Sequence, residues 1–181
     1  MAYNPWGNYV ILTAMSVHEH HRGHGAHLHL KLGVLTASDS RTTADDTSGD
    51  IIRELLIKAG HQVDFSAVLP DDRDQLRATV LEHLPHLDGI IITGGTGIGS
   101  RDVTIEAIQP LLEKELEGFG EIFRMLSFQE IGSAAIMSRA LAGIANRRLL
   151  VALPGSPAAC RLAMERLLIP ELGHIGGLLK G

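Results

Sequence analysis

An apolar run, Gly89-Ile90-Ile91-Ile92, leads straight into Thr93-Gly94-Gly95-Thr96-Gly97-Ile98-Gly99-Ser100-Arg101-Asp102-Val103-Thr104, and no other stretch of the sequence narrows the choice of fold so far. Behind it Ile105, Ala107, Ile108, Leu111 and Leu112 recur at helical spacing, which predicts strand, glycine turn, helix. That unit belongs to parallel α/β sheets, whose sites sit outside the carboxyl ends of the strands. Four glycines in the six residues 94–99 let the backbone adopt positive φ and turn successive N–H groups inward, a cradle shaped for phosphate oxygens. The helix start adds its positive dipole end. A glycine-rich turn by itself is more often a turn without a ligand. Arg101-Asp102, a cation and an acid inside the loop, tips the reading toward a site.

Spacing excludes the common phosphate loops. Gly94 and Gly99 have the separation of a Walker loop, but Ser100 stands where its lysine is required. Gly95-x-Gly97 lacks the third glycine of a dinucleotide fingerprint at its proper offset and lies mid-chain. A short-chain reductase would need a downstream Tyr and Lys four apart, and the tyrosines are Tyr3 and Tyr9, both upstream.

Around this centre Lys31 to Thr36 reads as a first buried strand, ending in the polar loop Ala37-Ser38-Asp39-Ser40-Arg41. Asp45-Asp46-Thr47-Ser48-Gly49-Asp50 opens a helix with Ile51, Ile52, Leu55, Leu56 and Ala59 on one face, stopped by Gly60. The two acids fit capping as well as ligand contact. Val63, Phe65, Ala67 and Leu69 alternate as a second strand that ends at Pro70-Asp71-Asp72, with Asp72 or Asp74 available to cap the next helix. The glycines of Glu117-Gly118-Phe119-Gly120-Glu121 predict a helix-to-helix turn, after which Arg124 and Ser127 project from a second helix. Two apolar runs around Asn146-Arg147 predict a hairpin. Ser156 and Pro157 fit the N-cap and first position of a closing helix through Leu162, Leu167, Leu168 and Leu172.

The expected architecture is one α/β domain at residues 30–181, a three-layer α/β/α sandwich with a mostly parallel sheet and one antiparallel hairpin. Residues 1–29 stand apart as a His-rich tail, with His18, His20, His21, His24, His27 and His29 in one segment whose glycines deny it a fixed metal geometry. Its removal is expected to leave the fold intact and to take away any nickel or zinc affinity. Met15 is an alternative start to Met1. A net charge of −5 gives no footprint for nucleic acid or an anionic membrane, so a phosphate site must be locally basic. The single cysteine, Cys160, excludes an intramolecular disulfide and fits a small core residue of a cytoplasmic protein.

Ile92-Thr93-Gly94-Gly95-Thr96-Gly97, Arg101-Asp102-Val103-Thr104, Glu117-Gly118-Phe119-Gly120-Glu121, Ser138-Arg139-Ala140 and Pro154-Gly155-Ser156 resemble, in the same order, the motifs of the MoaB/MogA family of molybdenum cofactor biosynthesis. Domains of gephyrin and of its plant counterpart are related. The resemblance covers residues 30–172. It implies Mg²⁺-dependent adenylylation of molybdopterin by ATP, with pyrophosphate released, ahead of molybdenum or tungsten insertion. A non-catalytic molybdopterin carrier is the alternative role. By this resemblance Asp71 and Asp102 are the Mg²⁺ carboxylates and catalytic residues. Thr93, Gly94, Gly95, Thr96 and Gly97 hold the nucleotide, and Ser138, Arg139, Pro154, Gly155 and Ser156 hold the pterin phosphate. Arg101 and Arg124 are weaker candidates. The attacking group would be the substrate's own phosphate, which agrees with the absence of a Ser-His-Asp, Cys-His or Tyr-Lys set near the loops. The family further implies a homotrimer or homohexamer, and the apolar residues 119–131 and 162–179 are the faces expected to associate.

Overall fold

The computed structural model describes residues 28–181, so most of the His-rich tail lies outside the described residues. The strands are β1 (Lys31–Ala37), β2 (Gln62–Leu69), β3 (Gly89–Thr93), β4 (Lys114–Glu115), β5 (Leu141–Ala145) and β6 (Arg148–Leu153). They form one sheet in the order β2-β1-β3-β6-β5-β4. The first three junctions are parallel and the last two antiparallel. β1, β3 and β6 are buried on both faces, which is why they read as unbroken apolar runs and not as alternation.

Alternation within those runs sends side chains to opposite layers. Leu32, Val34, Ile91, Leu149, Val151 and Leu153 face α1 (Thr47–Lys58), α4 (Glu117–Ile131) and the closing helices α5 (Pro157–Ala163) and α6 (Ile169–Lys180). Leu35, Ile90, Ile92, Leu150 and Ala152 face α2 (Arg73–His83) and α3 (Thr104–Ile108). The result is the expected three-layer sandwich with its hairpin, closed by Asn146 and Arg147 at φ 51° and 58°. Both are left-handed, the backbone that matches a two-residue turn to the twist of its strands.

Two local expectations are overturned. Glu117 to Glu121 is no turn: Gly118 and Gly120 lie in the first turns of the single helix α4. A Cβ on Gly120 would sit 2.9 Å from the Ala140 carbonyl oxygen, so this glycine serves the close approach of helix to chain. The break before α4 comes instead from a 3₁₀ turn at Gln109–Leu111 carrying Pro110, and from the short edge strand β4. Much of the apolar surface of residues 157–180 is also spent internally: Leu162, Leu168 and Leu172 are buried, Ile169, Ile175 and Leu179 are half-buried, and Leu178 stays exposed.

The segment before β1 is anchored. Leu28 packs on the core, His29 Nδ1 bonds the Gly60 carbonyl, and the Leu30 N–H donates to His61 Nδ1 at 3.3 Å. Leu30 is 2% exposed and fills the space left by Gly176, where a Cβ would come within 2.6 Å of it. Deleting residues 1–27 is therefore expected to leave the melting curve unchanged, whereas Leu30→Ala should cost about 2–4 kcal/mol in a urea titration. An equal melt for both would detach this segment from the core.

Candidate functional site

The parallel register brings the carboxyl ends of four strands level: Ala37 pairs with Leu69, Thr36 with Thr93, and Thr93 with Leu153. The loops that follow meet at one edge of the sheet. Gly94 has φ +93°, its N–H donates to the Leu153 carbonyl at 3.0 Å, and a Cβ on it would lie 2.2 Å from the Ala37 carbonyl oxygen. Only a glycine lets the loops after β1, β3 and β6 touch there. Thr104 then folds the arch back: its hydroxyl donates to the Gly94 carbonyl at 2.8 Å and its N–H to the Gly95 carbonyl at 2.9 Å. With those carbonyls engaged, no protein acceptor among the described residues takes the N–H of Gly95, Thr96 or Gly97. Unaccepted amides on a tight arch are what an anion needs.

The two predicted carboxylates flank that arch. A Cβ on Gly95 would approach Asp71 Oδ1 to 2.8 Å, and one on Gly97 would approach Asp102 Oδ2 to 2.8 Å. Asp102 Oδ2 accepts the Gly99 N–H at 2.8 Å, which holds it inside its own loop. Asp71 is tied to Asp39 by reciprocal bonds: the Asp39 N–H donates to Asp71 Oδ2 at 3.2 Å and the Asp71 N–H to Asp39 Oδ1 at 3.1 Å. Arg101 pairs with the other oxygen of Asp39. Asp71 Oδ1 is buried with no partner, an unusual state for a carboxylate. Burial first, then the charges of Asp39 and Asp102, push the Asp71 carboxyl above its ordinary range.

A divalent cation fits this donor set. It would satisfy the orphaned Asp71 oxygen and offset the crowded negative charge that Arg101, paired with Asp39, compensates only in part. No group of three His, Cys, Asp or Glu side chains converges among the described residues. Asp71 and Asp102 would therefore leave the rest of a Mg²⁺ shell to water and phosphate oxygens, as Mg²⁺ commonly prefers.

Between the loops and α4 lies a cleft of about 500 Å³. Gly94, Gly95, Thr96, Gly97, Asp102, Ser138, Pro154, Gly155 and Ser156 line it, so most of the predicted site residues come together. Three do not line it. Thr93 is fully buried, donating to the Pro154 carbonyl at 3.0 Å and packing against Cys160 Sγ, and thereby joins the arch to the turn at 154–156. Arg139 donates to the Thr96 carbonyl at 3.1 Å and the Asp102 carbonyl at 3.2 Å and pairs with Glu106, whose carboxyl it holds below the usual range. It braces the loop. Asp71 lies behind Gly95, outside the lining.

The lining also holds residues that no sequence motif marks. Ser38, Ser40 and Arg41 come from the polar loop after β1, and Phe123, Ile131, Ala135 and Met137 build an apolar wall with the buried Ser127. The position of that loop after a buried strand was the signal available; nothing local told which of its side chains turns inward.

The family described as "Probable molybdopterin binding domain" matches residues 33–174. Relatives named Molybdenum cofactor biosynthesis protein B are 46% identical over 164 residues in Bacillus cereus, covering 89% of this chain and 96% of the relative. In Bacillus subtilis the identity is 48% over 164 residues, covering 89% and 95%. A crystal structure of a tungsten cofactor synthesizing protein, MoaB from Pyrococcus furiosus, superposes with a TM-score of 0.76 at 38% identity, covering 84% of this chain and 98% of that one. The Mog protein of Mycobacterium ulcerans has the same fold at 26% identity and a TM-score of 0.75, covering 82% and 98%.

Proposed function

This chain belongs to the molybdopterin-binding domain family, and on that premise we propose that it acts in molybdenum or tungsten cofactor biosynthesis, adenylylating molybdopterin at the expense of ATP. The observation that carries the reading is the arch of unaccepted amides at Gly95, Thr96 and Gly97 set between Asp71 and Asp102. In the reaction an oxygen of the substrate's phosphate bonds to the α-phosphorus of ATP, the bond from that phosphorus to the β-phosphate bridging oxygen breaks, and pyrophosphate leaves with the electron pair. No protein nucleophile is needed, and apart from Asp102, assigned here to the metal, the cleft lining offers only neutral hydroxyls. The chain's share of the work is positioning and charge neutralisation. The arch amides hold phosphate oxygens, Arg139 keeps the arch in shape, and the apolar wall excludes water from the pterin end. Asp71 and Asp102 would hold Mg²⁺, which when bound neutralises charge on the polyphosphate. Incubation with ATP, Mg²⁺ and molybdopterin tests the reading: pyrophosphate formed in step with adenylylated pterin is expected, and tight pterin binding without pyrophosphate would make the protein a carrier.

The same reading includes a homotrimer, single or paired into a hexamer. Its support is an apolar face on α4 and the turn after it, where Ile122, Met125, Phe128, Ile131 and Ile136 are exposed, Ile136 by 78% and Phe128 by 58%. Light scattering is expected to return three or six times the 19.5 kDa of one chain, and Phe128→Glu with Ile131→Glu to return one. A wild-type mass near one chain at micromolar concentration rules the trimer out.

A further inference from the structure

The cleft's lining includes Asp102 and the partial charges of the arch, yet among its described residues one lysine or arginine is present, Arg41. Neighbouring arginines are spent on acids: Arg53 on Asp46 and Asp50, Arg101 on Asp39, Arg139 on Glu106. Arg41 is not. Among the described residues its guanidinium bonds a neutral group, donating from one terminal nitrogen to Ser48 Oγ at 3.0 Å, and Asp45 feels its charge only as the weakest influence on that carboxyl.

Ser48 is 0% exposed, and its hydroxyl is fixed in both directions. It accepts from Arg41 and donates to the Gly155 carbonyl at 2.7 Å, so it cannot rotate without losing one bond. The backbone beneath Arg41 is fixed as well, because Ser38 Oγ accepts the Arg41 N–H at 3.2 Å and the Ser40 N–H at 3.3 Å. The start of α1 cannot do the same job. Its first amides are already engaged, the Thr47 N–H on the Asp45 carbonyl at 2.9 Å and the Gly49 N–H on the capping Asp46 carboxylate at 3.0 Å.

We propose that Arg41 is the clamp for the phosphate group of the ligand held in this cleft, and that Ser48 is its positioning residue. The inference rests on the molybdopterin reading and names the group that recognises the ligand's phosphate. An arginine fork suits a phosphate dianion, since two parallel N–H donors meet two oxygens with charge on both partners. Ser48 sets the fork against the 154–156 turn, so Arg41 and Gly155 face one phosphate from two loops whose residues lie more than a hundred positions apart.

Fluorescence titration with molybdopterin, and separately with its phosphatase-treated form, tests this on the full chain. Arg41→Gln is expected to weaken the phosphorylated ligand by about ten- to a hundredfold, the range for a bond between two charged groups, and the dephosphorylated ligand by less than about twofold. Ser48→Ala should weaken the phosphorylated ligand by about fivefold in the wild-type background and hardly at all in Arg41→Gln, because it acts through Arg41. A purely structural Ser48 would instead lower both backgrounds and both ligands alike, and that outcome overturns its assignment. Equal losses for the two ligands in Arg41→Gln, with melting unchanged, overturn the clamp while leaving the molybdopterin reading in place. Failure of the wild-type protein to bind molybdopterin overturns both.

Discussion

Asp102→Asn is expected to slow pyrophosphate release by about a hundredfold or more while leaving molybdopterin affinity unchanged. The substitution keeps an oxygen that can accept the Gly99 N–H, now seen at 2.8 Å, so the loop keeps its shape and loses one unit of charge. Asp71→Asn should slow turnover likewise, and on the proposal that both carboxylates hold one ion the double substitution should cost less than the product of the two. Asp71→Asn carries a second signature. Its carboxyl sits above the ordinary range because of burial and then the Asp39 charge. A raised folded value means stability that is fully present below the unfolded value, about 3.9, and is lost as pH rises through the folded one. At neutral pH without divalent cation, Asp71→Asn should therefore melt higher than wild type, the gap closing as pH falls through the raised folded value of the wild-type carboxyl. Turnover of Asp102→Asn close to wild type, at saturating Mg²⁺ and matched folded fraction, would leave the carrier role in front.

Gly94→Ala should damage both the fold and the site. Gly94 holds φ +93°, where an L side chain is strained, and the new Cβ would lie 2.2 Å from the Ala37 carbonyl oxygen and 3.2 Å from its carbon. The clash is with backbone at the end of β1, which the sheet hydrogen bonds hold in place, so no rotamer can relieve it. Strain plus overpacking gives a loss of about 3–5 kcal/mol, or roughly 6–20 °C of melting temperature for a domain of this size. Whatever folds should bind both nucleotide and pterin less well, because the loops after β1 and β3 must part. Gly118→Ala is the control. Nothing lies within 4 Å of that Cβ, and on an exposed helical position it should raise stability by about 0.5–1 kcal/mol. A Gly94→Ala protein that melts within a degree or two of wild type would show that the loops do not need their close contact.

The parts legible in the sequence are those in which cause and effect lie a few residues apart. The run Gly89 to Ile92 is too apolar for a one-sided strand, the glycines after it demand a turn, and Asn146-Arg147 accepts the left-handed backbone of its hairpin. Ser156 caps α5 through the Ala159 N–H and Asp72 caps α2 through the Gln75 N–H, each three residues along. Glycine already shows where this legibility stops. Gly60 ends a helix as its position suggests, whereas Gly120, in a stretch that reads as a turn, sits inside a helix to let Ala140 approach from elsewhere in the chain. The same holds for the site's polar atoms. A family's motifs point to Asp71 and Asp102, but only the strand order β2-β1-β3 carries Asp71 behind Gly95 and leaves one of its oxygens without a partner. Arg139, which the family's motifs assign to the pterin, braces Thr96 and pairs with Glu106 from across the chain, and Arg41 reaches the cleft through a serine bonded to a turn 107 residues away. Periodicity and turn chemistry fix the backbone locally through torsions and short-range hydrogen bonds. The partner of a buried charge is set by which strand lies beside which, and that order is decided only when the two layers of helices close on the sheet.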